Sequence, residues 1–243
     1  MKKLLLSGVF AAALLANDSE IIDFVKSMVP PNIEVKVTNK QDIGSGFYAY
    51  EIGFFQGEKL LQEDLVFSNG MLFTGDLMDM KNKKSFKSDF EKAQREKQQA
   101  AAKAYLPEFL KAHKDLQIEL GPKDAEEVQV VFSDPRCPFC VIKLGSLEED
   151  IKTKRVIYVM SPLASHGEEA LLASMHILSK GMGKSDAEKI ALMKRYYDEK
   201  QKPEALGEQL VLGFSEKIEA LFGDSKLMLR SVPSVFELQA SQL

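Results

Sequence analysis

Residues 128–140 read VQVVFSDPRCPFC and hold both cysteines of the chain, Cys137 and Cys140. The apolar, β-branched run 128–132 is typical of a strand that is buried on both faces. The polar segment 133–136 predicts a turn. The proline directly after the first cysteine predicts a helix start, because proline is favoured in the first turn of a helix. The stretch therefore predicts a strand, a turn and a helix with a cysteine at its N-terminus.

The spacing of the two cysteines favours redox chemistry. Cys137 lies where the free backbone N–H groups and the dipole of the predicted helix stabilise negative charge, which favours a thiolate. The thiolate is the nucleophile of thiol–disulfide exchange. Cys140 follows in the next helical turn, close enough to attack a mixed disulfide formed at Cys137. We therefore assign Cys137 as the nucleophile and Cys140 as the resolving thiol.

Other uses of a CxxC pair fit the sequence less well. A purely structural disulfide would close a very short loop and remove little chain entropy. A zinc site needs about four ligands and an iron–sulfur cluster normally about four cysteines, whereas the chain has two cysteines and three scattered histidines, His113, His166 and His176. A c-type haem site needs histidine where the chain has Val141. We expect a redox-active pair with no metal and no cofactor.

His166 directly precedes a predicted helix. Two roles are open for it: a cap or surface role at the helix start, and titration near the active site.

Composition and charge narrow the class of protein. Of the 243 residues, 45% are hydrophobic, which is enough for a packed core. Lys and Arg together number 32 and Asp and Glu 36, for a formal net charge of -4. A general nucleic-acid binder usually has a basic excess, so we expect no nucleic-acid partner.

Residues 1–16 have the pattern of a secretory signal peptide. Two lysines precede an apolar run over residues 4–16, and small and polar residues follow. The run is shorter than the ~20 residues of a membrane-spanning helix. We expect cleavage after Ala16, with cleavage after Ala13 or an uncleaved anchor as alternatives. The mature protein is then expected in an oxidising, extracytoplasmic compartment.

Residues 17–80 predict a small α+β domain. Apolar residues at helical spacing predict a helix over 19–29. Strand-like runs follow at 33–37, 47–55, 60–67 and 71–80. Ser68-Asn69-Gly70 predicts a type I′ hairpin turn, which Asn-Gly favours. A unit of this size has little core of its own, so we expect it to pair with a second copy, through an outer strand.

Residues 81–123 predict a helical linker, of which residues 81–114 are highly charged. The segment 88–91 has the residue types of a capping box and predicts an exposed helix over 88–104. Pro107 and Gly121-Pro122 predict breaks beyond it.

Residues 124–243 predict a second domain that contains the cysteines. The helix that starts at Cys137 is expected to run to about Ile151. The pattern further predicts a strand at 156–160, helices at 168–179, 186–199 and 215–223, and a strand at 231–238.

The order of these elements resembles the thioredoxin fold. A strand, a CxxC helix start, a helical insertion over about 165–222 and Val232-Pro233 before a late strand follow one another as in that superfamily. Pro233 matches the family's cis-proline, which lies beside the CxxC and presents backbone to the substrate. Together with the signal peptide, the small domain and the linker, the layout resembles the periplasmic DsbC/DsbG thiol:disulfide interchange proteins over essentially the whole mature chain.

This resemblance implies a fold class and a site. The fold class is an α+β N-terminal dimerisation domain (cystatin-like or nuclear-transport-factor-like), a linker helix and a thioredoxin-like α/β domain with a helical insertion. The catalytic residues are then Cys137 and Cys140, and the implied substrate-binding residues are Pro138, Phe139, Val232 and Pro233. The implied setting is a periplasmic homodimer whose partners are unfolded or misoxidised secreted proteins and a membrane redox partner, either a DsbD-like reductant or a DsbB-like oxidant.

Three departures from the family pattern leave the direction of electron flow open. DsbC and DsbG carry threonine before the cis-proline, whereas Val232 is more like DsbA. The pair Pro138-Phe139 is closer to the Pro-Tyr of DsbG than to the Gly-Tyr of DsbC. Thioredoxin and DsbA carry a buried acid where this chain has Val131. A disulfide isomerase or reductase is the leading hypothesis, a dimeric DsbA-like oxidase is the alternative, and a holdase chaperone with incidental cysteines is a third reading.

Overall fold

The computed structural model describes residues 18–243, so the predicted signal peptide and its cleavage site lie outside the described residues. The chain divides into two compact units, with the boundary between Glu96 and Lys97. None of the helices between residues 18 and 243 combines the length and the apolar character that crossing a membrane requires.

The first unit is one helix on a four-stranded antiparallel sheet, as the sequence predicts. Its elements are α1 (Asp18–Lys26), β1 (Glu34–Gly44), β2 (Phe47–Gln56), β3 (Lys59–Ser68), β4 (Phe73–Thr74) and a separate two-residue pair, β5 (Met78–Asp79) with β6 (Lys84–Ser85). The sheet order is β1-β2-β3-β4. Ile21 and Val25 of α1 pack with Val35 and Ile52 of the sheet, where the alternating side chains form one buried face.

The end of this sheet differs from the prediction. The loop after β3 spans residues 69–72, and of its residues only Gly70 has a positive φ, so it is not the predicted two-residue type I′ turn. The side chain of Asn69 accepts hydrogen bonds from the N–H groups of Met71 (3.0 Å) and Leu72 (2.7 Å). An asparagine side chain that caps its own loop in this way stabilises a longer turn. The predicted strand 71–80 is accordingly reduced to two-residue pieces.

The long helix α2 (Phe86–Ala112) extends beyond the predicted 88–104 at both ends. Its N-cap is Ser85, whose hydroxyl accepts from the N–H of Ser88 at 2.9 Å, so the predicted capping box at 88–91 is wrong. The helix also continues through Pro107, where the sequence predicts a break. Leu106 and Phe109 on either side are fully buried, and this burial offsets the ~3 kcal/mol that a proline costs inside a helix.

The second unit is built on a mixed sheet of order β10-β8-β9-β7. The strands are β7 (Gln117–Leu120), β8 (Glu127–Ser133), β9 (Arg155–Met160) and β10 (Ser234–Gln239). β8 and β9 are parallel and central, and the two outer strands run antiparallel to their neighbours. The central strands are buried on both faces, as their continuous apolar runs predict.

The linker expected over 81–123 ends earlier than predicted. β7 pairs with β9 inside the sheet of the second unit, although it precedes residue 124, where that domain was expected to begin. The strand is followed by Gly121 at φ +84°, where an added Cβ would lie 2.2 Å from the carbonyl oxygen of Lys154. Only glycine fits such a close backbone approach at a positive φ.

Five α-helices follow β8 among the described residues of the second unit. They are α3 (Pro138–Leu144), α4 (Leu147–Asp150), α5 (Gly167–Gly181), α6 (Asp186–Tyr197) and α7 (Glu208–Gly223). The single helix predicted from Cys137 to Ile151 is interrupted at Gly145-Ser146, and the helix predicted to start at Ser215 already starts at Glu208. A CxxC helix between parallel strands, a helical insertion and a final antiparallel strand make this a thioredoxin-like α/β unit.

Candidate active site

Cys137 occupies the N-cap position of α3. Its backbone is extended (φ −85°, ψ 120°), and its carbonyl accepts from the N–H groups of Cys140 (3.0 Å) and Val141 (3.1 Å), which begins the helix. Its sulfur lies 3.5 Å from the carbonyl oxygen of Val232. The Val232–Pro233 peptide bond that follows is cis. The fold thus brings the predicted nucleophile and the predicted cis-proline loop together from opposite ends of the second unit.

Cys140 lies behind Cys137 and is fully buried. Its sulfur accepts a hydrogen bond from the N–H of Asp134 at 3.4 Å. Burial raises the pKa of Cys140 to about 12, although the hydrogen bond from Asp134 lowers it. Both cysteines are free thiols in this structure. Near neutral pH Cys140 is therefore a neutral thiol.

The carboxylate of Asp134 organises the turn between β8 and α3. It is completely buried, and its Oδ1 accepts from the N–H of Arg136 at 2.7 Å. Its Oδ2 accepts from the N–H of Leu163 and pairs with Nδ1 of His166, each at 2.7 Å. Because a carboxylate only accepts hydrogen bonds, Nδ1 of His166 carries the proton in this pair. A buried charge is tolerated where its oxygens are partnered in this way.

Arg136 ties the same turn to the helical insertion. Its guanidinium donates to the carbonyl oxygens of Tyr196 (2.7 Å) and Gln201 (2.8 Å), and its Nε lies 3.7 Å from Oε2 of Glu169. Three parts of the insertion therefore converge on the residue next to the nucleophile. These contacts fix the position of α5 and α6 relative to the turn that carries Cys137.

The four predicted substrate-binding residues lie around Cys137 on two elements. Pro138 and Phe139 are exposed in the first turn of α3, while Val232 is buried and Pro233 half-buried in the cis-proline loop. Phe139 is 69% exposed, whereas Cys137 itself is only 5% exposed. The sulfur is thus recessed beside an apolar rim.

Sequence reasoning missed several polar residues of the site. Ser133 and Asp134 were assigned only to a turn, and Tyr197 was not singled out. His166, whose role was left open, lies against the buried carboxylate of Asp134. No cluster of three or more His, Cys, Asp or Glu side chains suited to a metal ion occurs among residues 18–243.

Comparisons with known proteins give likenesses at the level of fold. No protein-family model matches the chain, and no curated protein matches it. Among solved structures, DsbG of Helicobacter pylori aligns with 90% of this chain and 100% of its own, at 16% identity and a TM-score of 0.49. ScsC of Proteus mirabilis in a transitional conformation aligns with 62% of this chain and 77% of its own, at 23% identity and a TM-score of 0.43.

A periplasmic thioredoxin-like protein of Salmonella enterica serovar Typhimurium aligns with 51% of this chain and 79% of its own, at 20% identity and a TM-score of 0.38. Identities this low assign no chemistry to the chain, so its chemistry is argued from its own residues.

We expect the Asp134→Asn substitution to destabilise the second unit. All three partners of the carboxylate donate hydrogen bonds. The amide NH₂ of asparagine is itself a donor, so it would face one of these partners and leave that partner without an acceptor. Hydrogen bonds to a charged group are worth about 1.5–3 kcal/mol, and we expect a loss of that size in the free energy of unfolding. Urea unfolding followed by circular dichroism measures it.

The matched control is Asp198→Asn. This exposed carboxylate accepts one backbone hydrogen bond, from the N–H of Lys200 at 3.0 Å. We expect a change below about 0.5 kcal/mol there. Equal losses in the two variants would contradict the organising role of Asp134.

Proposed function

We propose that this protein is a periplasmic thiol–disulfide oxidoreductase, most directly an isomerase or reductase of misoxidised secreted proteins. The observation that carries the proposal is the position of the Cys137 sulfur, at the N-terminus of α3 and 3.5 Å from the carbonyl oxygen that precedes the cis-proline. A helix N-terminus stabilises the thiolate. The neighbouring cis-proline loop offers backbone against which a substrate chain can align.

The exchange begins with attack by the Cys137 thiolate on a substrate disulfide. One substrate sulfur becomes bonded to Cys137 and the other leaves as a thiolate, which takes a proton from solvent. If the released substrate thiolate attacks another disulfide and finally displaces Cys137, the substrate is isomerised without net oxidation. If Cys140 attacks the mixed disulfide instead, the substrate leaves reduced and the protein is oxidised by the same two electrons.

The surface around the sulfur supports unfolded or misfolded chains as substrates. Phe139 and Ile142 lie three residues apart on one face of α3, with exposed fractions of 69% and 72%. A contiguous exposed apolar surface favours partners that also expose apolar side chains. Misoxidised proteins do so, because wrong disulfides prevent their cores from closing.

We expect Cys137→Ala to abolish insulin reduction and the reactivation of scrambled ribonuclease, down to the uncatalysed rate. We expect Cys140→Ala to retain attack and to accumulate mixed disulfides, because the resolving thiol is gone. The surface variant Asp198→Asn is the control and should keep both activities. Full activity of Cys137→Ala would refute the proposal, and full rescue of a deletion strain by the Cys137→Ala/Cys140→Ala double variant would favour a holdase.

The direction of electron flow can be measured in cells. If the protein is an isomerase or reductase, acid-quenched thiol trapping should find Cys137 and Cys140 mostly reduced, because a DsbD-like membrane reductant must keep Cys137 ready to attack. The residue before the cis-proline, Val232, is more like that of DsbA, and this is the feature that favours the oxidase. A mostly oxidised pair, maintained by a DsbB-like oxidant, would replace our proposal with that alternative.

We further propose that two copies associate through the first unit. Its exposed apolar residues include Met71 at 89%, Leu72 at 59% and Phe24 at 47% exposure. These three residues line one groove of about 400 Å³ between α1 and the β3–β4 loop. A unit with so small a core gains stability by covering such a surface with a second copy.

We expect light scattering to give twice the chain mass at micromolar concentration. The Met71→Glu/Leu72→Glu variant should give the mass of one chain, because it places two charges in the groove. The control Met182→Glu changes an equally exposed methionine (83%) of the second unit and should leave the dimer intact. If light scattering gave the mass of one chain for the parent protein, the dimer would be ruled out.

A further inference from the structure

The side chain of His166 contacts a buried carboxylate rather than the helix that it precedes. His166 occupies the N-cap position of α5, yet its imidazole makes no capping hydrogen bond there. Its Nδ1 lies 2.7 Å from Oδ2 of Asp134 instead. The Asp134 side chain is fully buried, whereas 27% of the His166 side chain is exposed. The imidazole is thus bonded to the turn that carries the two cysteines.

Asp134 connects this imidazole to the sulfur of Cys140. The N–H of Asp134 donates to the Cys140 sulfur at 3.4 Å, and its carbonyl accepts from the N–H of Cys137 at 3.1 Å. The first contact reaches a reacting sulfur, whereas the second joins main chain to main chain within one tight turn. A shift of Asp134 therefore acts directly on the sulfur of Cys140 and not on that of Cys137.

The three donors to the Asp134 carboxylate differ in kind. Two are main-chain groups: the N–H of Arg136 donates to Oδ1 and the N–H of Leu163 to Oδ2, each at 2.7 Å. The guanidinium of Arg136 donates elsewhere, to carbonyl oxygens of the helical insertion. Among residues 18–243, His166 is therefore the only side chain that donates to this carboxylate.

We propose that His166 is a positioning residue for the resolving step, in which its Nδ1–H holds the Asp134 carboxylate and so keeps the N–H of Asp134 directed at the sulfur of Cys140. The proposal rests on the oxidoreductase function proposed above and adds a residue to the same site. A buried carboxylate that loses a donor must find another partner. Because the side chain and the N–H belong to one residue, such a rearrangement misaligns the N–H.

The resolving step needs the donor that His166 holds in place. Cys140 attacks as a thiolate, and burial raises its pKa to about 12, so the thiolate is scarce near neutral pH. A hydrogen bond to the charged form of a group favours its ionisation. The N–H of Asp134 makes such a bond and lowers the pKa of Cys140. The alignment of this N–H therefore sets how much thiolate is available.

The resolving step transfers two electrons. The Cys140 thiol loses its proton to solvent, and the thiolate attacks the sulfur of Cys137. A Cys137–Cys140 bond forms and the bond from Cys137 to the substrate breaks. The substrate leaves as a thiolate and takes up a proton from solvent. The cysteine pair loses two electrons and the substrate gains them.

Stopped-flow reaction of the reduced protein with excess 5,5′-dithiobis(2-nitrobenzoic acid), at one fixed pH, separates attack from resolution. Cys137 releases the first thionitrobenzoate ion, at a rate that scales with the reagent concentration. Cys140 then attacks the mixed disulfide at Cys137 and releases the second ion, at a rate that does not. The proposal concerns the second phase.

Two amide substitutions test the ring atom that the proposal names. In His166→Asn the amide nitrogen takes the place of Nδ1, because it is attached to the same side-chain carbon. In His166→Gln the amide nitrogen reaches the place of Nε2, the ring nitrogen that is not bonded to Asp134. Both amides are neutral, so a comparison of the two variants holds the charge constant and changes only the position of the donor.

We expect His166→Gln and His166→Ala to slow the second phase about twofold to threefold, with the first phase unchanged. Loss of one ordinary hydrogen bond cuts the thiolate fraction about fivefold. The more basic thiolate attacks faster, with a Brønsted coefficient of about 0.4–0.5, which reduces the net slowing to that range. His166→Asn should restore the rate of the parent protein.

The matched control is His113→Ala. His113 is another half-buried histidine of the second unit, and its imidazole packs on Phe109 with 4.5 Å between the ring centroids. The substitution removes a packed imidazole that is not hydrogen-bonded to Asp134, so both phases should be unchanged. If His166→Ala fails to fold, the comparison of His166→Asn with His166→Gln decides.

The outcomes separate the inference from the function on which it rests. A slower second phase in His166→Gln, together with the parent rate in His166→Asn, would establish the positioning role. An unchanged second phase in His166→Gln, or equal slowing in His166→Asn or in His113→Ala, would overturn it. A first phase that is absent from the parent protein would overturn the oxidoreductase function itself.

Discussion

The buried carboxylate of Asp134 is the interaction on which the active site depends. A charge with no access to water must have its oxygens fully partnered, and here the partners come from the turn itself and from the segment after β9. The main chain of the same residue reaches both cysteines: its carbonyl accepts from the N–H of Cys137 at 3.1 Å, and its N–H donates to Cys140. Satisfying one buried charge therefore sets the positions of both thiols.

The different surroundings of the two cysteines follow from this turn. Cys137 occupies the N-cap of α3, and the electrostatic effect of a helix N-terminus is confined to its first turn. Cys140, one turn later, points into the core, where desolvation opposes ionisation. In the proposed function, Cys137 is the nucleophile and Cys140 is the buried, neutral thiol behind it.

Local sequence signals predicted the parts of this fold that depend on local physics. The helix at Asp18, the strands around Val35 and Ile52, the buried runs β8 and β9 and the helix start at Cys137 all follow from periodicity or from proline and turn chemistry. Errors arose where tertiary burial decided the outcome. Leu106 and Phe109 carry α2 through Pro107, and pairing with β9 turns Gln117–Leu120, expected in a linker, into a strand of the sheet of the second unit.

The polar residues of the site could not be predicted from the sequence for a related reason. Ser133 has the same turn propensity whether its hydroxyl faces solvent or accepts from a buried tyrosine, and Tyr197 lies in a distant helix, so only the fold shows that they meet. The same is true of His166 and Asp134. The CxxC motif could be recognised because its chemistry needs two residues at a fixed short spacing, whereas the groups that tune it need only be near in space.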